Sequence, residues 1–384
     1  MADMKADRNI VLIGFMGTGK TSVGIRLAEM LGMTFVDTDD LIEKDSGMII
    51  SDIFSKMGED YFRDLESSII ERVSKLEQQV IATGGGAVKR EKNLQNLKSS
   101  GIVFCLYASP EVILQRTSGY NHRPLLQVDD PISKINEILK EREQFYAKAD
   151  YKIDTSDLSI EQVVEKIQSI FMAVKMIEIK NKINILAEKY TRNLIEKIDQ
   201  RMFEMESDDN SHYLIYNVLG ITNDEGKLID QFQNKGRFLY NYAGLFLEEA
   251  VILCFEEAFS NVKCKVRIPN KYGSKPKTFE IDCLVNNEAF EIKWRDATTD
   301  GDHITKEHTR LKNIKESGYH PIRIMFYHPN RDQAIIIQET LKTIYTGIGG
   351  DYYSGIEAWS FIKMKTGIDL KRILEEIAEN KLNI

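Results

Sequence analysis

The sequence predicts two consecutive α/β domains, and three observations support this prediction. From about residue 9 to residue 171, short β-branched segments alternate with longer helical patterns, which is typical of βα units that build a parallel sheet. Residues 160–206 are helical in pattern almost throughout and contain neither Gly nor Pro. Strand and helix signals then return in a different order, which indicates an α+β or mixed α/β domain.

These changes in pattern divide the chain into three segments. Residues 1–172 form the first domain, residues 173–206 form a helical connector that begins the second domain, and residues 207–384 form the remainder. The strand candidates of the first domain are NIVLI, TFVD, VIATG, IVFCLYA and YKIDT. In the second domain, a helix candidate at 241–259 precedes four strand candidates, which are 262–268, 279–285, 288–294 and 322–327.

The composition is that of a globular protein, with 42% hydrophobic and 29% charged residues over 384 positions. No uninterrupted apolar stretch reaches the roughly 18 residues that a membrane-spanning helix needs. The N-terminus MADMKADRNI also lacks an apolar signal segment, so we expect a cytoplasmic protein without a membrane partner. The net charge of −8 argues against a general nucleic-acid binder, so any DNA contact must come from local basic clusters.

A glycine-rich motif stands between the first strand candidate and the helical pattern that follows it. The string GFMGTGKT at 14–21 fits GxxxxGK[ST] in the strand–loop–helix context that this phosphate-binding loop requires. Its glycines let successive N–H groups turn towards a phosphate, to which the helix N-terminus adds the positive end of its dipole. Lys20 would contact the β- and γ-phosphates, and the Thr21 hydroxyl would reach Mg²⁺. The predicted ATP-binding residues of this loop are Gly17, Thr18, Gly19, Lys20, Thr21 and Ser22.

Two aspartates follow the second strand candidate. The segment VDTDD places Asp37 and Asp39 two residues apart, beside the sheet edge where ligands of open α/β sheets bind. One carboxylate can join the magnesium shell while the other orients an acceptor hydroxyl for in-line attack. Taken alone, the same residues also fit solvated loop acids or the N-cap of the next helix.

Four arginines and a glycine run extend this pattern. Arg63 lies in FRDLE and Arg142 in KEREQFY, whereas Arg116 and Arg123 lie in RTSGYNHRPLL, a polar segment that looks like a lid. Guanidinium groups suit carboxylate or phosphate ligands, although each arginine alone also fits a surface ion pair. The run GGG at 84–86 follows the third strand candidate and would let a substrate lie against bare backbone.

Taken in order, these motifs are similar to those of the shikimate kinases across residues 9–171. The resemblance implies that Asp39 contacts the hydroxyl groups of shikimate and helps to activate the attacking one. It implies that Arg63 and Arg142 bind the carboxylate of shikimate. The middle glycine of the run, Gly85, would touch the substrate, and the predicted substrate-binding glycines are Gly84, Gly85 and Gly86.

For the nucleotide, the resemblance implies that Arg123 closes over the phosphates, Arg116 lies near the adenine and Asp37 joins the magnesium shell. The predicted catalytic residues of this half are Lys20, Asp39 and Arg123, and its predicted metal ligands are Thr21 and Asp37. The implied reaction transfers the γ-phosphoryl group of ATP, the co-substrate, to the 3-hydroxyl of shikimate with Mg²⁺ as cofactor.

In the second half, TFEIDCLVNNEAFEIKW predicts a β-hairpin that turns at residues 286–287, since Asn tolerates left-handed backbone angles. If residue 285 pairs with 288, then Asp282 faces Glu291 and Glu280 faces Lys293. The opposite face would be apolar and consist of Phe279, Ile281, Cys283, Val285, Phe290, Ile292 and Trp294.

Two carboxylates directly opposite each other repel, and a divalent cation between them reverses the sign of the interaction. The pattern of Asp282, Glu291 and Lys293 resembles the metal centre of the PD-(D/E)XK nucleases. The resemblance implies that Asp282 and Glu291 bind Mg²⁺ and that Lys293 orients or activates the hydrolytic water. For this three-residue pattern alone, a solvated hairpin with a surface pair of Glu280 and Lys293 is the alternative.

Two further features surround the hairpin. The upstream helix candidate carries Glu248 and Glu249, either of which fits a further acid of such a site. Basic residues cluster nearby and offer phosphate contacts, namely Lys263, Lys265, Arg267, Lys271, Lys275, Lys277, Lys306, Arg310, Lys312, Lys315 and Arg323.

Over residues 177–384, the sequence resembles the ApaLI-like type II restriction endonucleases, notably in SDDNSHYLIYNVLGI and DQFQNKGRFLYNYAGLFLEEA. This resemblance implies Mg²⁺-dependent hydrolysis of double-stranded DNA at a short palindrome by a homodimer. The sequence thus favours a P-loop kinase domain fused to a restriction-endonuclease-like α/β domain.

Two alternatives stay open. The first domain can be a DNA-dependent ATPase that gates the nuclease, although a motor would not need Asp39, Arg63 and Arg142. Alternatively, the kinase is active and the second domain is a catalytically inactive DNA-binding or oligomerisation domain.

Overall fold

The computed structural model describes residues 8–118, 130–273, 276–295 and 302–382. These residues divide into two compact units, with the boundary between Lys175 and Met176. The predicted segment limits at residues 172 and 206 stay predictions. One helix, Ile160–Met205, runs through the first limit and ends one residue before the second.

The first unit alternates strands and helices. Its elements are β1 (Asn9–Gly14), α1 (Lys20–Leu31), β2 (Thr34–Asp37), α2 (Thr38–Ser46), α3 (Ile50–Met57), α4 (Glu59–Val73), β3 (Gln79–Ala82), a 3₁₀ turn (Ala87–Lys89), α5 (Glu91–Ser100), β4 (Gly101–Tyr107), α6 (Pro110–Thr117), α7 (Pro131–Tyr146), β5 (Tyr151–Asp154) and the start of α8 (Ile160–Met205). The five strands that the sequence predicts are all present.

These strands form a parallel sheet in the order β2-β3-β1-β4-β5, which confirms the predicted fold class. Both faces of the sheet are covered, which explains why β1 is apolar at successive positions. Ile10 and Leu12 pack with α1 and α8 on one face, whereas Val11 and Ile13 pack with α2, α4 and α5 on the other. Because the strands are parallel, the loops after β1, β2 and β3 meet at one edge.

The second unit contains a second sheet and its helices. Its elements are the remainder of α8, α9 (Tyr213–Val218), α10 (Asn223–Ala258), β6 (Val262–Pro269), β7 (Thr278–Val285), β8 (Glu288–Arg295), α11 (Asp302–Glu316), β9 (His320–Tyr327), α12 (Asp332–Gly347), β10 (Asp351–Ser354), α13 (Ile356–Thr366) and α14 (Leu370–Leu382). The strand order is β10-β9-β8-β7-β6, in which β6, β7 and β8 are antiparallel and β8, β9 and β10 are parallel.

The hairpin of β7 and β8 has the predicted register beside its turn, over the three residue pairs that end at Cys283 and Phe290. Val285 pairs with Glu288, and Asn286 adopts the left-handed angle that its turn requires, with φ of 54°. The prediction of one continuous apolar face is wrong, however. Phe279 and Ile281 pack in a separate core with Leu284, Ala289 and Ile314, whereas Cys283, Val285, Phe290 and Ile292 pack with α10 and Trp294 borders that core. The sheet is covered on both faces, so β7 buries side chains on each side.

Among the described residues, α10 is the one helix long and apolar enough to cross a bilayer, judged by length and composition alone. Its C-terminal half lies in the core of the second unit, where Ala250, Val251, Cys254 and Phe255 are fully buried. Packing against the sheet therefore accounts for the apolar sequence of this half.

Candidate active sites

The first candidate site lies at the sheet edge where β1, β2 and β3 end. The phosphate-binding motif turns between β1 and α1, and Gly14, Gly17 and Gly19 have φ of 140°, 79° and 94°. A Cβ on Gly14 would lie 2.1 Å from the carbonyl oxygen of Leu106, so only glycine fits at this position. Lys20 Nζ donates hydrogen bonds to two carbonyl oxygens of the loop, each at 2.9 Å, which holds the ammonium group across the loop.

The hydroxyl side chains of this loop differ in position. Thr18 is buried, and its hydroxyl donates to the carbonyl oxygen of Phe15 at 2.8 Å, so its side chain stabilises the loop. Thr21 and Ser22 are exposed in the first turn of α1. The Thr21 hydroxyl donates to Asp37 Oδ2 at 3.0 Å, which brings together the two residues predicted as metal ligands. A hydroxyl and a carboxylate are oxygen ligands of the kind that Mg²⁺ prefers, so these residues fit the ion.

Asp37 and Asp39 have different environments. Asp37 Oδ1 accepts the backbone N–H of Asp39 at 3.0 Å and thereby caps α2, so the N-cap alternative is correct for Asp37. Asp39 Oδ1 is buried without a hydrogen-bond partner in the described part of the chain. Burial, with the charges of Asp37 and Glu66, raises the pKa of Asp39 to about 7 even though Lys20 lowers it. A carboxylate that titrates near neutral pH is suited to accept a proton from a hydroxyl group.

Each glycine of the run at 84–86 faces one of the predicted substrate groups. The nearest atom to an added Cβ would be Asp39 Oδ1 at 2.6 Å for Gly84, Arg142 Nη1 at 3.2 Å for Gly85 and Arg63 Nη2 at 2.6 Å for Gly86. The run is therefore a strip of bare backbone bounded by one carboxylate and two guanidinium groups. Such a strip suits a small molecule that carries both hydroxyl groups and a carboxylate.

Hydrogen bonds within the unit hold both guanidinium groups in place. Arg63 Nη1 donates to Glu66 Oε2 at 2.9 Å. Arg142 Nη1 donates to the carbonyl oxygen of Gly85 at 2.8 Å, and the Tyr146 hydroxyl donates to the same oxygen at 2.8 Å. Burial raises the pKa of Tyr146 to about 12, so the phenol keeps its proton. Tyr146 was not predicted from the sequence, although its four-residue spacing from Arg142 places both residues on one face of α7.

Of the two arginines in the predicted lid segment, the structure describes Arg116. Arg116 donates to the Thr155 carbonyl oxygen at 2.7 Å and to its hydroxyl at 3.1 Å. The Thr155 hydroxyl in turn lies 3.3 Å from the Thr18 carbonyl oxygen, so Arg116 is connected to the phosphate-binding loop. Arg123 lies outside the described residues.

The second candidate site lies on β7 and β8, where Lys293 contacts both of the predicted carboxylates. Lys293 Nζ lies 2.6 Å from Glu291 Oε1 and 3.5 Å from Asp282 Oδ2. Burial, with the charge of Glu291, raises the pKa of Asp282 to about 6. Burial also opposes ionisation of Glu291, but Arg310 and Lys293 outweigh this effect and lower its pKa to about 2. Lys293 thus pairs with these carboxylates, and the alternative of a Glu280–Lys293 surface pair is wrong.

The structure distinguishes the two glutamates of α10. Glu249 Oε1 accepts a hydrogen bond from the Tyr190 hydroxyl at 2.6 Å, so this carboxylate is held by α8. Glu248 contacts the ammonium group of Lys265, which lies 3.7 Å from Asp282 Oδ1. Glu248 is therefore the helix acid that approaches the hairpin site.

Two of the predicted phosphate-contacting residues are instead buried counter-ions, which corrects the sequence analysis. Arg310 is 7% exposed, and its guanidinium contacts the carboxylates of Glu291 and Glu307. Arg323 is fully buried, with Nη1 lying 3.5 Å from Glu307 Oε1. The physical reason is that two buried carboxylates need compensating charges, and cations from α11 and β9 supply them.

The nuclease resemblance implies that carboxylates of the second site hold Mg²⁺. Within the described ranges, no three His, Cys, Asp or Glu side chains converge closely enough to form a complete metal-ligand group. Asp282 and Glu291 nevertheless present adjacent carboxylates, which are oxygen ligands suited to Mg²⁺. These two residues fit the ion as ligands, and Glu248 is a further acid that Lys265 links to Asp282.

Comparison with known proteins finds a different family for each part of the chain. The family model of shikimate kinase matches residues 16–171, and that of the ApaLI-like restriction endonucleases matches residues 153–379. A shikimate kinase of Thermodesulfovibrio yellowstonii is 54% identical over 160 residues, which cover 42% of this chain and 92% of that protein. One of Caldanaerobacter subterraneus is 49% identical over 168 residues, which cover 44% of this chain and 98% of that protein.

A solved structure of a shikimate kinase from Acinetobacter baumannii in complex with shikimate is 41% identical, with a TM-score of 0.43. It covers 44% of this chain and 95% of that protein. The chain therefore belongs to the shikimate kinases in its N-terminal part and to the ApaLI-like restriction endonucleases in its C-terminal part.

Proposed function

We propose that the N-terminal unit transfers the γ-phosphoryl group of ATP to the 3-hydroxyl of shikimate. The observation that carries this proposal is the glycine strip beside the phosphate-binding loop, bounded by Asp39, Arg63 and Arg142. Two guanidinium groups match a single carboxylate, and glycines without side chains leave room for a substrate beside these groups. Arg116 and Arg123 complete the proposed nucleotide site.

The proposed mechanism depends mainly on positioning and charge. Asp39 accepts the proton of the attacking hydroxyl, while Arg63 and Arg142 hold the carboxylate at the other end of the substrate. Lys20 neutralises charge that develops on the transferred phosphoryl group. Mg²⁺, bound through Thr21 and Asp37, would supply further charge neutralisation at the phosphates.

Substitution of Arg142 tests the substrate assignment. Arg142→Ala is expected to raise the KM for shikimate by about 10- to 100-fold, since one charge-assisted hydrogen bond is lost, and to change the KM for ATP little. The measurement is coupled ADP release at varied shikimate. Arg72→Ala is the control, because Arg72 pairs with Asp45 on the surface of the same unit. An unchanged shikimate KM, or ATP hydrolysis that shikimate does not stimulate, would contradict the proposal.

We further infer that the C-terminal unit cleaves double-stranded DNA at specific sites and acts as a homodimer. The supporting observation is the contact of Asp282 and Glu291 with Lys293 inside a mostly buried cluster. Mg²⁺ held by the two carboxylates would activate water and stabilise the leaving oxygen. Lys293 would orient that water or stabilise the charge that develops on the phosphate.

DNA cleavage tests this second activity. Asp282→Ala and Lys293→Ala are each expected to reduce Mg²⁺-dependent cleavage by about 10³-fold or more, as is typical when a central catalytic group is removed. The assay uses long DNA of varied sequence, so that the recognition site need not be known. Lys371→Ala is the control, because Lys371 pairs with Glu375 on α14. Cleavage that persists in both site variants would refute the assignment.

The same two assays also distinguish the two alternative functions, a gating ATPase and an inactive DNA-binding second domain. ATP turnover that DNA stimulates and shikimate does not would favour an ATPase that gates the nuclease. Shikimate phosphorylation without any Mg²⁺-dependent nicking would favour an inactive DNA-binding second domain. We propose that the two units act independently, so ADP release with ATP and shikimate should be the same with and without DNA.

A further inference from the structure

Lys265 on β6 has a backbone conformation that is unusual for a strand residue. Its φ is 53°, in the left-handed region that costs a residue with a side chain about 1–2 kcal/mol. The residues on either side pair regularly with β7, since Cys264 pairs with Cys283 and Val266 pairs with Ile281. Strain of this kind persists only where the surrounding structure imposes it, and it often marks a functional position.

The left-handed turn directs Lys265 into the carboxylate cluster of the second site. Its ammonium group contacts Glu248 and lies 3.7 Å from Asp282 Oδ1 and 3.8 Å from Glu280 Oε1. Three acidic side chains from α10 and β7 thus surround one cation. Lys293 approaches Asp282 through its other oxygen, Oδ2, so the two lysines contact different oxygens of this carboxylate.

Glu248 and Asp282 therefore flank one monovalent cation, the Lys265 ammonium group. Glu248 is a further acid beside the proposed metal ligands, and Lys265 is the group that joins it to Asp282. A divalent ion that used Asp282 Oδ1 and Glu248 would need the space that the ammonium group occupies, and its own charge would replace that of the ammonium group.

We propose that Lys265 is an internal counter-ion of the nuclease site, which a divalent cation held by Asp282 and Glu291 must displace in order to use Asp282 Oδ1 and reach Glu248. The inference rests on the proposed metal-dependent nuclease function and adds a competing group to it. Displaced from the carboxylates, the Lys265 side chain remains at the rim of the site. Its role is to lower the affinity for the free metal ion, since two like charges cannot share the carboxylates.

Binding of Mn²⁺ alone to the full chain, without nucleotide or DNA, tests this role. The free ion is followed by electron paramagnetic resonance during titration. Lys265→Asn and Lys265→Gly remove the charge, and both residues accept a left-handed backbone angle. Each is expected to bind Mn²⁺ about tenfold more tightly than the wild type, a modest factor because solvent screens the partly exposed ammonium group.

Three controls define the site. Lys265→Arg keeps the charge and should resemble the wild type. Lys371→Asn removes a charge from a surface position of the same unit, where Lys371 pairs with Glu375, and should also leave Mn²⁺ affinity unchanged. Adding Asp282→Asn to Lys265→Asn should abolish the gain. Thermal unfolding confirms that each variant is folded.

The outcomes separate this inference from the nuclease assignment. Mn²⁺ binding in the wild type with no gain in either Lys265→Asn or Lys265→Gly overturns the role of Lys265 and leaves the nuclease proposal standing. A gain that survives the loss of Asp282 places the effect elsewhere and also overturns it. If no variant binds Mn²⁺ and none cleaves DNA, the nuclease proposal fails and the inference fails with it.

Discussion

Replacement of Asp39 by asparagine is expected to lower kcat for phosphoryl transfer by about 10²- to 10⁴-fold, the range for loss of a general base. Asparagine keeps the shape of the side chain but cannot accept a proton. In the wild type, kcat/KM should rise with pH through about 7, because the carboxylate must be ionised and its pKa is raised to about 7. The Asp39→Asn variant should lose this pH dependence.

The same substitution should stabilise the N-terminal unit at high pH. The folded-state pKa of Asp39, about 7, lies above the value near 3.9 of an unfolded aspartate, so the folded state binds more protons between these values. The stability associated with the protonated form is fully present below about pH 4 and is lost as the pH rises through 7. Asparagine avoids this loss, so we expect a gain of about 1–3 kcal/mol at pH 8 that shrinks towards pH 4.

Calorimetry at several pH values, with steady-state kinetics, checks both expectations. The transition of the N-terminal unit is identified by its shift on addition of ATP, since a ligand stabilises the state that binds it. Asp40→Asn is the matched control, because Asp40 is exposed on the same helix and takes no part in the proposed site. A variant that kept the pH profile of the wild type, or that was less stable at pH 8 than at pH 5 relative to wild type, would contradict the assignment.

Replacement of Arg310 by methionine should destabilise the second unit by about 3–5 kcal/mol, as is typical when one partner of a buried ion pair is removed. The Arg310 guanidinium contacts Glu291 and Glu307, and it donates to the Glu280 carbonyl oxygen at 2.9 Å. Methionine fills part of the space but leaves both carboxylates without this cation. DNA cleavage should fall as well, because Glu291 would no longer be held in place.

The stability lost in Arg310→Met should be larger near neutral pH than in acid. Glu291 has a pKa lowered to about 2, so its contribution to stability is present above the unfolded value, near 4.3, and is lost as the pH falls through 2. Without Arg310 this contribution shrinks, so the difference from wild type should be larger at pH 7 than at pH 4.

Tryptophan fluorescence during urea unfolding measures this effect selectively. The chain has two tryptophans, and both Trp294 and Trp359 lie in the second unit. Lys312→Met, at an exposed position of the same helix, controls for the loss of a positive charge. An unfolding midpoint equal to that of wild type would show that Arg310 is not the main counter-ion of Glu291.

The features that the sequence predicted correctly depend on short-range spacing. The phosphate-binding loop follows from glycines at positions that need positive φ, and the hairpin register follows from the Asn286 turn and the period of two along the strands. The five strands of the first unit were recognised because β-branched residues recur between helical segments. Strand β10 was missed, since its four residues, DYYS, carry no such alternation.

The features that the sequence did not reveal depend on tertiary contacts. Arg310 and Arg323 look like surface charges until α11 and β9 pack against the hairpin and bury them beside Glu291 and Glu307. The choice between Glu248 and Glu249 depends on the rotation of α10 about its axis, which neighbouring residues in sequence cannot fix. The conformation of Lys265 likewise arises from partners on other elements.

The glycine strip at 84–86 constrains how the kinase site can evolve. A methyl group on Gly84 or Gly86 would approach Asp39 or Arg63 to within 2.6 Å, so even the smallest side chain would disturb a group proposed to act on the substrate. A substitution at either position would therefore displace Asp39 or Arg63 as well as narrow the space beside the strip. A change in acceptor specificity is therefore expected first in the side chains that flank the strip, while the glycine backbone itself stays the same.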